Sequence, residues 1–147
     1  MEKRDHIFWY DKVSCEDFEE MALSACQRPG MYVGIADYNA LTSYFAGIDQ
    51  GKGGSPLLGF HQWLVKKLND GNNCNWMSNV LRLAPDKEDR RELETVDDHL
   101  AAIELPGNEL TAFFEHRRNV GLTKLFYDHA NWLLTQSWYD GPLRELQ

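Results

Sequence analysis

Apolar residues in this chain recur at three- and four-residue intervals, and strong local breakers cut those runs into pieces of helical length. That pairing restricts the accessible folds more than any other feature. Ser14 reads as an N-cap with Asp17 three residues on and Val13 and Phe18 at the staple positions; Phe18, Met21, Ala22 and Ala25 then form one stripe. Arg28-Pro29-Gly30 is expected to stop that helix, with Met31 and Tyr32 folding back onto the core. A second helix starts near Asp37, carries Tyr38, Leu41, Phe45 and Ile48, and breaks at Gln50-Gly51-Lys52-Gly53-Gly54. Ser55-Pro56 reads as the start of a third, with Phe60, Trp63, Leu64 and Leu68 inward and Gly71 past its end.

Asn75 caps a short run through Trp76, Val80, Leu81 and Ala84, ended by Pro85. Thr95 with Asp98 opens a helix bearing Val96, Leu100 and Ile103, which Pro106-Gly107 should end. Asn108 then caps Leu110, Phe113, Phe114 and Arg117. A last helix runs from about Leu122, with Leu125, Phe126, His129, Trp132 and Leu133 inward, to Asp140-Gly141-Pro142. Period-two alternation is never sustained. Ile7 to Tyr10 and Met31 to Val33 allow at most a short strand pair near the N-terminus. The expectation is therefore an all-α fold, a bundle of about six helices in one domain over residues 1–147.

Charge and cysteine usage narrow the function classes. The net charge is −8, with 23 acids against 15 lysines and arginines, which disfavours gripping a phosphate backbone. The excess is uneven. Residues 86–104 hold eight acids (Asp86, Glu88, Asp89, Glu92, Glu94, Asp97, Asp98 and Glu104) against Lys87, Arg90 and Arg91. Such a segment is a solvated surface, or a patch that steers a basic partner. Cys15, Cys26 and Cys74 contain no Cys-x-x-Cys pair and suggest neither a disulfide framework nor a zinc knuckle. No apolar run reaches the ~20 residues of a membrane span, and the N-terminal apolar stretch is too short for a secretion signal. A cytoplasmic protein without a membrane partner is expected.

Catalytic patterns are weak. No Gly-x-Ser-x-Gly elbow or His-Glu-x-x-His is present, and Gly51-Lys52-Gly53-Gly54-Ser55 lacks phosphate-loop spacing. Adjacent carboxylates such as Asp97-Asp98 do not face each other on a helix. Helix packing would have to gather His99, His116 and His129 to make a metal site, the one alternative that the histidines offer. Trp63, Trp76 and Trp132 fall on core stripes, whereas Trp138-Tyr139 before Asp140-Gly141-Pro142 reads as a partly exposed contact point of the kind that anchors protein interfaces.

Arg28-Pro29-Gly30-Met31-Tyr32-Val33-Gly34 resembles a seven-residue segment of gyrase B-type ATPase domains, but the Asp-x-Gly-x-Gly loop of that family has no counterpart here, so ATP binding does not carry over. The same string, followed by Tyr44-Phe45-Ala46-Gly47, Gly59-Phe60-His61-Gln62-Trp63-Leu64 and Asn75-Trp76, resembles a set of small, little-characterised bacterial proteins that share an RPGMYxG segment and a GFxxWL helix; the likeness spans about residues 28 to 84. In size, acidity and helical character the chain looks like the immunity proteins of polymorphic-toxin and contact-dependent growth-inhibition systems. That resemblance implies a non-enzymatic protein without cofactor that occludes the active site of a cognate, basic toxin such as a nuclease. The expected contact residues are Asp86, Glu88, Asp89, Asp97, Asp98, Trp138 and Tyr139. A metal-binding helical-bundle enzyme and a structural subunit of a larger complex are the alternatives.

Overall fold

The computed structural model describes residues 16–84 and 93–146. Among them it is all-α, with six helices and no strand. Helix α1 covers residues 16–27. The others are α2 (Pro29–Val33), α3 (Tyr38–Gly51), α4 (Phe60–Leu68), α5 (Trp76–Leu81) and α6 (Val96–Thr135), followed by a 3-10 turn at Pro142–Leu146.

Capping positions the helix starts. The Asp37 carboxylate accepts from the Ala40 amide at 2.7 Å, and the Asn75 side chain accepts from Ser78 at 2.8 Å. Thr95 and Asp98 form a reciprocal capping box at the start of α6. Each of these satisfies amides that the first helical turn leaves without a partner.

The core is a chain of aromatic rings that links the helices. Phe18 on α1 meets Phe45 on α3 and Phe114 on α6, both edge-on at 6.2 Å. Phe113 and Phe114 are 5.2 Å apart, and Phe113 lies 5.0 Å from Phe60 on α4, which in turn packs at 5.5 Å from Trp76 on α5. Leu41, Leu64, Val80, Ile103 and Leu110 fill the space between them. α6 thus serves as the central rod against which α1, α3, α4 and α5 pack.

Several boundaries differ from the sequence reading. α4 begins at Phe60, because residues 55–59 form a turn that is held from outside: Nη1 of Arg117 lies 2.9 Å from the Pro56 carbonyl and 3.0 Å from that of Leu58. Pro106-Gly107 does not end a helix and Asn108 does not cap one; both fall inside α6. Proline removes one backbone donor there. Gly107 faces α1, where a Cβ would sit in ordinary contact with Cys26 at 3.4 Å. The real break in α6 is Gly121, with φ 81° and ψ 162°. The helix ends at Thr135, five residues before Asp140.

Met31 to Val33 is helical, not extended, and Met31 is 80% exposed instead of folding onto the core; Tyr32 is also exposed, with its ring 6.2 Å from Tyr44. Val96 and Leu100 point outward, at 68% and 46% exposure, because the inward face of α6 runs through Ile103, Pro106, Leu110 and Phe113. Phe126 is likewise at the surface. Ser14, Cys15 and the Ile7 to Tyr10 stretch lie outside the described residues.

Candidate partner-binding surface

The acidic residues expected to contact a partner have unequal roles. Asp86, Glu88 and Asp89 lie outside the described residues. Asp98 spends its carboxylate on the helix start, accepting from the Thr95 amide at 2.9 Å and the Glu94 amide at 3.2 Å. Asp97, beside it in the first turn, is exposed, and its neighbours Val96 and Leu100 put apolar surface next to that charge.

The C-terminal aromatic pair sits on a well-braced turn. After Thr135 the chain bends, with the Tyr139 amide bonded to the Gln136 carbonyl. Arg144 reaches back from the 3-10 turn and donates to the carbonyls of Gln136, at 2.8 Å, and Tyr139. Trp138 is 57% exposed but rests edge-on against Trp132 at 6.1 Å and against Tyr139 at 6.2 Å. Trp132 is only 9% exposed, and its indole N–H donates to the Asn69 side chain at 2.7 Å. Trp138 is therefore a large ring offered to solvent from a support fixed to the loop after α4. Asp140 and Glu145 are exposed on the same short segment.

The structure does not bring His99, His116 and His129 together. His99 Nδ1 accepts from the Tyr38 amide at 2.9 Å, with the Asp37 carboxylate 3.7 Å away, at the start of α6. His116 is seventeen residues further along the same helix, about 25 Å at the ordinary helical rise. His129 lies beyond the Gly121 break, stacked on Trp132 at 5.9 Å and bonded through Nε2 to the Asn72 side-chain oxygen at 3.0 Å. Among the described residues no three His, Cys, Asp or Glu side chains are grouped to hold an ion. Cys26, against Gly107, has its thiol pushed up to about 11 by burial, which leaves it protonated and a poor nucleophile near neutral pH.

Two of the clefts among the described residues are shallow and open. One, of about 290 Å³, lies between α4 and α6 and is lined by Trp63, Lys66, Lys67, His116, Leu125 and Asp128. Two of its rim charges are engaged within the protein: Lys67 pairs with Glu109 at 2.6 Å and sits over the Trp63 ring, and Asp128 pairs with Lys124 at 2.5 Å. An entering ion would compete with those pairs. The other, about 430 Å³, runs past Ser24, Gln27, Arg28, Met31 and Tyr32, so the RPGMYVG string forms surface.

Three structural roles escaped the sequence reading. Arg117 lies under the 55–58 turn with its guanidinium about 5 Å from the rings of Phe113 and Phe114. Asn69 and Asn72 tie the loop after α4 to α6. A cluster of four Asn, Asp and Gly residues at 69–72 signals a turn that can bond outward, but nothing local names the partner.

No helix among the described residues is long and apolar enough to cross a membrane. Compared with models of known protein families, with curated proteins and with solved structures, the chain matches none.

Proposed function

We propose that this protein is a non-catalytic binding protein of the immunity type, which neutralises a basic toxin by covering its active site. The observation that carries this reading is Trp138, a mostly exposed indole held in one orientation by Trp132, Tyr139 and the Arg144 brace. A rigid exposed Trp loses little conformational freedom on docking, and buried Trp and Tyr side chains dominate interface energies. The net charge of −8 favours a positively charged partner by raising the encounter rate. Asp97 supplies part of that field from the start of α6, as do Asp140 and Glu145 beside the aromatic pair. Asp86, Glu88 and Asp89 add to it as sequence charges.

The direct test is co-expression with, and calorimetric titration against, any basic toxin domain that a neighbouring gene encodes. A one-to-one complex and survival of the host are expected. W138A should weaken the complex by at least ~30-fold, the minimum for an interface hot spot. A protein that neither binds the toxin nor protects the host overturns the proposal.

A further inference from the structure

The part of the chain after Gly121 joins the rest through one glycine and packs against the loop after α4 with a histidine among its contacts. Gly121 has φ 81° and ψ 162° inside what is otherwise one helix, so α6 is two rods joined by a single residue in a conformation open only to glycine. No side chain crowds that position, since a Cβ there would meet nothing within 4 Å. The second rod, residues 122–135, is anchored in the core by Leu125, which is 3% exposed, and fastened to the loop after α4 by Trp132 on Asn69 and by His129 on Asn72. His61 on α4 bonds to the backbone of the same Asn72, so two imidazoles bracket one loop residue. Trp138 rests in turn on Trp132.

We propose that residues 122–146 form an acid-loosened arm, hinged at Gly121 and held in part by the His61–Asn72–His129 clamp, which opens more readily when the two imidazoles take up protons.

The sign follows from the surroundings. Burial holds both histidines below the ordinary imidazole value of 6.5; the Asn72 backbone bond partly offsets this at His61, and the charges of His61 and Lys66 depress His129 further. The other charged groups nearby are Asp128 with Lys124 on the arm, His116 before the hinge, and Asp70 with Arg82 at the loop. Asp128 already has a cation beside it. A base whose pKa is depressed in the closed form stabilises that form fully above 6.5, and the stabilisation is lost as pH falls from there through the closed-state values. The His129–Asn72 bond itself survives, because a protonated imidazole still donates. What is lost is the tolerance for two like charges in a half-buried site. Each histidine raises the opening equilibrium by up to ~10-fold per pH unit in that window, so the pair gives up to ~100-fold.

Hydrogen exchange on the full chain between pH 7.5 and 5, expressed as protection factors, tests this. Protection in residues 122–135 should fall as pH drops below 6.5, by at most ~100-fold per pH unit, while α3 keeps its protection. In H61Q/H129Q the fall should disappear, since glutamine can bond to Asn72 without titrating. A uniform loss across α3 and the arm, no loss at all, or an undiminished loss in the double variant overturns the proposal. Should that variant fail to fold, NMR titration of the wild-type imidazoles decides. Midpoints of His61 and His129 below 6.5 that track opening of the arm support the clamp, and midpoints at or above 6.5 refute it.

Discussion

At the scale of single residues, the decisive positions join distant segments. Gly71 has φ 83°, and a Cβ there would lie 2.2 Å from Oδ1 of the buried Asn79, whose amide donates to the Gly71 carbonyl at 3.0 Å. G71A therefore meets both left-handed backbone strain and a clash with a fixed neighbour. A loss of about 2–3 kcal/mol is expected, read from the urea midpoint. Arg117 is the second case. Its guanidinium bonds to carbonyls about sixty residues away and covers two phenylalanine rings. R117Q keeps much of the stem but gives up the charged donor, which is worth about 2 kcal/mol in thermal or urea unfolding. Neither role was legible in the sequence. Gly71 looked like a helix end and Arg117 like one more residue on a stripe, because their partners are remote in the chain.

Helices, by contrast, were legible wherever their ends are decided locally. The sequence marks Asn75 as a cap and places helix starts at Asp37 and at Thr95 with Asp98, and Asp37, Asn75 and Thr95 each bond to an amide three residues ahead. A cap needs no information from the rest of the fold, so the sequence suffices. T95A should consequently cost about 1 kcal/mol and fray the first turn of α6, which loss of amide protection at residues 96–98 would report. The readings that failed concern breakers overruled by packing. Pro106-Gly107 has every local mark of a helix stop, yet both residues are buried inside α6, with Gly107 packed against Cys26 of α1. Ser55-Pro56 has every mark of a start, but Arg117 claims the carbonyls of the turn that follows. Of the candidate surface, Trp138-Tyr139 was visible as an aromatic pair beside turn residues. The brace that orients it was not, because Arg144 bonds to the carbonyl oxygens of Gln136 and Tyr139, a group that every residue has.

For the molecule as a whole, charge and shape act at different stages of the proposed association, and their effects can be separated. A net charge of −8 makes a field felt at a distance, whereas Trp138 contributes only once its ring is covered. The field is screened over a Debye length that shrinks from about 30 Å at 0.01 M salt to about 8 Å at 0.15 M. The association rate with a basic toxin should therefore fall by ~10-fold or more across that range. The dissociation rate, set by desolvated aromatic contacts, should change far less. W138A should reverse the pattern, speeding dissociation at every salt concentration while leaving the salt dependence of association intact. Stopped-flow association and competition-based dissociation measure the two rates independently. Equal salt sensitivity of both would mean that charge pairs, and not the braced indole, hold the complex together.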